Sequence, residues 1–563
     1  AIVFLVSGCQ SIISQLLPVG ITSADDTQPA PTLVATAAQP IVVPDPLTAT
    51  STPPAESQEP PEEPFEEGMI DQVSPTATQT IIVPTNTPLP SPTPSPTPEL
   101  TGPFYYVSPE GNDWGGNGSM EQPWATIGRA LQRVEDGATI LVRPGIYFGQ
   151  VALERRFSQG VTVQSEQAYQ AQLRHDDTVV ICYFCQGITL SGFNIAHTGA
   201  GAGRYVIQIQ DLNGDGSGGR QVTLRNNIIH DSRNNDLLKI NNGADTITVE
   251  GNIFYNMGGP DLDSLIDVNS ATGVIIQDNV LFNDFQASDR SRDNDTGSFI
   301  VVKDSNGNED SNLGSKDVVV RRNVFLNWQG DPNNAFLVIG EDDVDYFQAE
   351  DVLIENNLML GNTRNPMRAA LHIRGSRDIV FRHNTVTGDL PSRSYAIRLS
   401  RADNNPANEN IHFYNNIWSD PMGSMGIFRE SNGDLFAEAW PADSRKIVLL
   451  NNLYWNGGEL IPWDEEQLIN YTDDPQRILA DPQLPVPEDV MTPVWLVEEG
   501  HFAGGFSTIR EVFEWLVFSY GQPTTESRVI NAGEPAESSV DDILGRPRFD
   551  GAPDVGAYES NPS

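Results

Sequence analysis

Along residues 161–456, short runs in which apolar and polar residues alternate restart on one recurring pattern. The segments VTLRNNIIHD (222), ITVEGNIFYN (247), VIIQDNVLFN (274), VVVRRNVFLN (318), VLIENNLMLG (352), IVFRHNTVTG (379), IHFYNNIWSD (411) and IVLLNNLYWN (447) align without gaps. ITLSGFNIAH (188) is a ninth, weaker copy, and VTVQSE (161) begins a tenth. Copies start 25 to 44 residues apart, the longer spacings being loop insertions. Alternation with period two predicts a strand, and each copy has two of them around a polar pair ending in Asn. That Asn recurs at 227, 252, 279, 323, 357, 384, 416 and 452. Asn tolerates the left-handed backbone of a sharp bend, and stacked Asn side chains can hydrogen-bond in a ladder. A unit this small cannot bury its apolar face alone, so successive units are expected to stack as coils.

A further alternating run precedes each copy: VIQIQ (206), LLKIN (237), LIDVN (265), FIVVK (299), FLVIG (336), ALHIR (370) and AIRLS (396). Their second and fourth residues point inward, as with Leu238 and Ile240, so the third and fifth point outward. The outward third column reads Gln208, Lys239, Asp267, Val301, Val338, His372, Arg398, and the fifth reads Gln210, Asn241, Asn269, Lys303, Gly340, Arg374, Ser400.

This pattern resembles the right-handed parallel β-helix of the pectate-lyase-like proteins, and residues 103–157 are similar to the opening module of that superfamily. The resemblance covers about 103–559 and implies an all-β, single-stranded helix of about nine to ten coils with helical caps. It is specific for fold and far less so for chemistry. A capping helix is expected near 125–135, with Ile127, Ala130, Leu131 and Val134 at helical spacing. A second, TIREVFEWLVFSYG, has a capping box at Thr508 and Glu511 and an apolar face suited to close the far end of the stack. The domain reading is 1–9, the end of a truncated lipoprotein signal; 10–100, a linker; 101–160, the opening module and cap; 161–460, the coils; and 461–563, the second cap and a terminal loop element.

Composition sharpens the ends of the chain. No Lys or Arg occurs from Ser11 to Leu100, a stretch dense in Pro, Thr and Ser, which is expected to remain a disordered stalk. The opening AIVFLVSGCQ resembles the end of a bacterial lipoprotein signal, with Cys9 as the lipidated residue. The expected product is a monomer at the bacterial cell surface, held to the membrane through its lipid anchor only. Cys182 and Cys185 lack a second pair and read as a disulfide or two buried thiols.

A formal net charge of −43 argues against nucleic acid as a partner. It makes basic side chains gathered on one sheet informative, and the resemblance places ligands along this sheet. The implied partner is an acidic, uronate-containing polysaccharide, and the implied chemistry is β-elimination. C5 epimerisation and a non-catalytic glycan-binding or cell-envelope scaffold are the alternatives. Elimination needs the uronate carboxylate neutralised by Ca²⁺, Arg or Lys, and a neutral side chain to take the C5 proton. Candidates for these roles are Lys303 and Lys239 as base, with His372, Arg374 and Arg398 as partners, and Gln208, Asn241 and Asn269 for binding. Lys303 is the preferred base, because a Lys239–Asp267 pair would raise the Lys239 pKa. Calcium is a possible cofactor, held by Asp236, Asp263 and Asp267, or by Asp211, Asn213 and Asp215 in the D-x-N-x-D-G spacing of a cation loop. The loop from Asp304 also alternates oxygen ligands. Lys239 is either paired to Asp267 or free to meet a substrate.

Overall fold

Three ladders of parallel strands follow from the three alternating runs. The computed structural model describes residues 102–199, 202–211, 216, 218–259, 262–290, 296–305, 313–362, 365–426, 435–548 and 552–560. Cys9, expected to be lipidated, the expected linker of 10–100 and the candidate calcium-loop residues Asn213 and Asp215 lie outside them. Among the described residues, sheet 1 has 12 strands, from Phe104–Val107 to Ser444–Leu450. Sheet 2 has 12, from Gly145–Phe148 to Ile478–Leu479, and sheet 3 has 10, from Val151–Ala152 to Leu435–Ala439. Each coil contributes to the sheets in turn and pairs in parallel with the coil before and after it, which is a parallel β-helix. Inward residues of all three sheets, among them Ile247, Phe254 and Ile240, form one continuous core along the stack.

The recurring Asn is fully buried and hydrogen-bonded to both neighbouring coils. Asn323 Oδ1 accepts from the backbone N of Asn279 (3.1 Å) and from its Nδ2 (2.9 Å). Its Nδ2 donates to Ile276 O at 3.0 Å and to Asn357 Oδ1 at 3.0 Å. The same four bonds repeat from Asn252 to Asn416. Asp474 ends the ladder: its carboxylate accepts from the backbone N of Asn451 (3.0 Å) and Asn452 (2.8 Å) and from Asn452 Nδ2 (2.8 Å). The left-handed residue is not the ladder Asn but the one before it: Asn226, Gly251, Asp278, Arg322, Asn356, His383, Asn415 and Asn451 all have positive φ. The ladder Asn is therefore selected for its amide, and the bend falls on its neighbour.

Helix α1, Ile127–Leu131, is shorter than the expected 125–135, but Ile127, Ala130, Leu131 and Val134 are all buried in the main core. The second helix, α2, Ile509–Leu516, has its Thr508–Glu511 capping box. It does not close the far end of the stack. Ile509, Val512, Phe513 and Leu516 pack on outward residues of sheet 2, including Tyr255, Phe282, Leu326 and Leu358. The physical reason is that these outward positions are apolar and need a cover. The far end is instead packed by Ile461, Leu468, Ile469 and Tyr471.

The terminal element continues the cover as a strap across several coils rather than against the last ones alone. Asp541 bonds Arg322 (2.5 Å) and Asn356 (2.9 Å), and the Glu534 backbone N donates to Asn415 Oδ1 at 2.8 Å. Arg548 pairs with Glu559 at 2.5 Å, both side chains being almost fully buried. Cys182 and Cys185 form a disulfide in the core.

Candidate functional site

The register of sheet 3 brings the outward columns together. In the third column Gln208 pairs with Lys239, Lys239 with Asp267, then Val301, Val338, His372 and Arg398 follow, and Glu438 adds one more coil. In the fifth, Gln210, Asn241, Asn269 and Lys303 are consecutive, and Arg374 pairs with Ser400. Although outward, this face is well covered: Lys239 is 9% exposed, His372 4% and Val338 2%. Val301 and Val338, with Ala335, make a small apolar patch that separates two charged clusters.

The first cluster surrounds the two lysines. Lys239 Nζ lies 2.5 Å from Asp267 Oδ2 and 3.8 Å from Asp236 Oδ2, so it is paired. Burial alone would lower its pKa, but Asp267 and then Asp236 outweigh burial and hold it above the ordinary lysine value. Asp236 is raised well above the carboxylate range by burial and by Asp267, against the pull of Lys239. Ser264 N donates to Asp236 Oδ1 at 2.8 Å.

This arrangement also bears on calcium. The Lys239 ammonium already supplies the positive charge between Asp236 and Asp267, and these residues do not suit a second cation there. Asp263 immediately precedes the strand Ser264–Asn269 that carries Asp267, and no group of three or more His, Cys, Asp or Glu among the described residues has metal-binding geometry. Asp211 is fully buried at the start of its loop, and Asp304 accepts from Gly314 N at 2.7 Å.

Lys303, the preferred base, is paired rather than free. Its ammonium pairs with Glu341 Oε2 and lies 3.5 Å from Asp342 Oδ2, two acids from the turn that follows Gly340. Burial would lower the Lys303 pKa, yet Glu341, Asp267 and Asp342 together raise it well above normal. Both lysines are thus held as ammonium ions, the wrong state for accepting a proton. Alignment of the columns could not show this, because Glu341 and Asp342 lie outside the repeat.

The second cluster gathers His372, Arg374 and Arg398 with Arg368, Ser400 and Glu438. His372 Nε2 is 2.7 Å from Ser400 Oγ, and Arg374 Nε donates to the same oxygen at 3.4 Å. Burial first, then Arg398, Arg374 and Arg368, depress the His372 pKa well below its ordinary value, so the imidazole is neutral. Glu438 accepts two hydrogen bonds from Arg368, at 2.6 and 2.5 Å, and lies 3.4 Å from Arg398 Nε. Burial and the neighbouring guanidinium groups, against the pull of Glu438, bring Arg398 down to about 10. Arg374 also donates to the Glu341 carbonyl, and among the described residues it has no carboxylate partner. Arg368 and Glu438 escaped the sequence reading: Arg368 stands one residue before its strand, and Glu438 would have followed from extending the column past Arg398.

The binding candidates occupy the first cluster's side. Gln208 accepts from Tyr183 Oη at 2.7 Å and donates to Gln210 at 3.1 Å. Asn269 Nδ2 donates to Ser305 Oγ at 2.7 Å, and Asn241 Nδ2 to Asn242 Oδ1 at 3.0 Å. With strands about 4.8 Å apart, Lys239 and His372 are four steps, or roughly 19 Å, from each other.

No protein-family profile matches the chain, and no curated protein matches it by sequence. Among solved structures, it is similar to a pectate lyase at 16% identity, covering 82% of this chain and 97% of that one with a TM-score of 0.47. It is also similar to a rhamnogalacturonan lyase at 14% identity, covering 62% and 87% with a TM-score of 0.42. A mannuronan C-5 epimerase module from Azotobacter vinelandii matches at 12% identity, covering 61% of this chain and 91% of that one with a TM-score of 0.37. At these identities the likeness concerns the fold.

Proposed function

We propose that the chain acts on a uronate-containing polysaccharide by β-elimination at the His372 cluster. The observation that carries this reading is a neutral imidazole held by Ser400 and flanked by Arg374, a cation with no carboxylate partner among the described residues. Arg374, with Arg398, neutralises the substrate carboxylate and so acidifies the C5 proton. His372 takes that proton; the C5–H electrons form the C4–C5 double bond, the C4–O bond breaks, and the departing oxygen takes a proton from water. Return of the proton to the opposite face of C5 would make the reaction an epimerisation. In this reading Lys239 and Lys303 organise the face without exchanging protons, and a lipid-anchored stalk presents the coils at the cell surface.

A non-catalytic glycan-binding role is the second reading, and the 4% exposure of His372 favours it, since arginine side chains must move before a sugar reaches the ring. The test is a panel of pectate, alginate, chondroitin, heparin and hyaluronan, followed by ultraviolet absorbance of the unsaturated product. Absorbance that disappears in His372→Ala supports elimination. Solvent deuterium entering C5 without chain cleavage identifies an epimerase. Binding without either signal sinks the catalytic reading and leaves the binding protein.

A further inference from the structure

The two clusters on the outward face of sheet 3 have opposite character. In the first, four carboxyl groups (Asp236, Asp267, Glu341, Asp342) surround two ammonium groups (Lys239, Lys303), so acids outnumber cations. Buried oxygen atoms are also left without a hydrogen-bond partner there: Asn241 Oδ1 and Asp267 Oδ1. Asn241 and Asp267 are only 8% and 4% exposed, and both stand at outward positions of the sheet. An unpartnered buried acceptor is costly, so such atoms favour a ligand that brings donors. In the second cluster, three guanidinium groups (Arg368, Arg374, Arg398) face one carboxylate, Glu438, an excess of two positive charges. There Arg398 Nε makes no hydrogen bond, its nearest acceptor being Glu438 Oε2 at 3.4 Å.

We infer that the substrate is a heteropolymer, in which uncharged hydroxyl-bearing sugars meet the Asn241–Asp267 end while a uronate meets the Arg374–Arg398 end. This rests on the β-elimination or binding site proposed above and adds its substrate class. Sugar hydroxyls donate to Asn241 Oδ1 and Asp267 Oδ1 without bringing charge. A polymer with a carboxylate on every ring would set one against Asp267 or Asp342, where like charges oppose it at short range. Lys303 and Arg374 are two strands apart, or roughly 10 Å, so neutral and acidic sugars are read within one continuous stretch of chain.

The experiment is titration of the full chain with size-matched polymers of three kinds: a homopolyuronate, a polymer alternating uronate with an uncharged hexose or N-acetylhexosamine, and a neutral polysaccharide. The alternating polymer is expected to bind about tenfold more tightly than the homopolyuronate, the ratio that one well-made hydrogen bond supplies. Asn241→Ala should erase most of that preference, and Arg374→Ala should weaken both acidic polymers. Equal or tighter binding of the homopolyuronate by the unaltered chain overturns the inference while leaving the acidic-polysaccharide reading intact. Binding of the neutral polymer alone, or of no uronate polymer, overturns both.

Discussion

Each rung of the asparagine ladder holds the turn of the preceding coil, so deleting a rung has a cost that can be counted. In Asn323→Ala, the backbone N of Asn279 loses its acceptor, because the bond at 3.1 Å is made to the Asn323 side chain. Asn279 Nδ2 keeps its bond to Val249 O at 2.9 Å, and Asn357 Oδ1 keeps the Asn323 backbone N at 2.9 Å. One buried backbone donor is therefore orphaned, which costs about 1–3 kcal/mol. In Asp474→Ala, the backbone N of both Asn451 and Asn452 loses its acceptor, and Tyr454 Oη and Gln476 N lose theirs as well. With two backbone donors orphaned beside a fully buried side chain, that variant should cost roughly twice as much, about 2–6 kcal/mol. Guanidinium unfolding at constant slope measures the two losses, and amide exchange at Asn279 and Asn452 locates them. If Asp474→Ala costs no more than Asn323→Ala, or if the Asn279 amide stays protected in Asn323→Ala, the assignment of the ladder as the holder of the turn is wrong.

Two other outcomes test the charged face. Lys239→Ala leaves Asp236 and Asp267 buried without their cation and should destabilise by about 3–5 kcal/mol, while Lys239→Met combined with Asp267→Leu should recover most of that loss; failure to recover, read by denaturant midpoint, would separate the pair from simple burial. The depressed pKa of His372 means that the unfolded chain binds its proton more readily. Stability present above the unfolded histidine value, about 6.5, should fall as pH drops from there towards the folded value. His372→Gln should flatten that part of the stability profile, and an unchanged profile would show that the ring is not held neutral by burial and its arginines.

The strand register of sheet 3 was legible from period-two alternation anchored on the recurrent Asn, since a slip of one residue would have turned Leu238 and Ile240 outward. The partners that decide the chemistry were not. Glu341 and Asp342 come from a turn whose length differs between coils, and no repeat constrains which side chain such a turn returns to Lys303. The Lys239–Asp267 pair was visible as a possibility because both residues lie in one column. His372 was visible by position, as were Arg398 and Arg374 beside it, but its neutrality depends first on burial, which the aligned columns do not show. The apolar stripe of α2 was read correctly as a buried face and assigned to the wrong surface, because amphipathicity identifies that a helix needs cover without saying what it meets.

A stack of coils touching only their neighbours would begin to fold as soon as its first units left the ribosome. The strap changes that order. Ile509 N donates to Tyr169 Oη at 3.3 Å, Thr492 bonds Asp284, and Gly521 lies against Leu358, so the last part of the chain joins coils made long before it. During synthesis, Tyr255, Phe282 and Leu326 must wait uncovered until that segment emerges. Arrival of the segment from Val490 to Tyr558, rather than growth of the stack, is then the event that makes the fold cooperative, and a chain truncated before Trp495 would keep its ladder and still be adhesive along sheet 2.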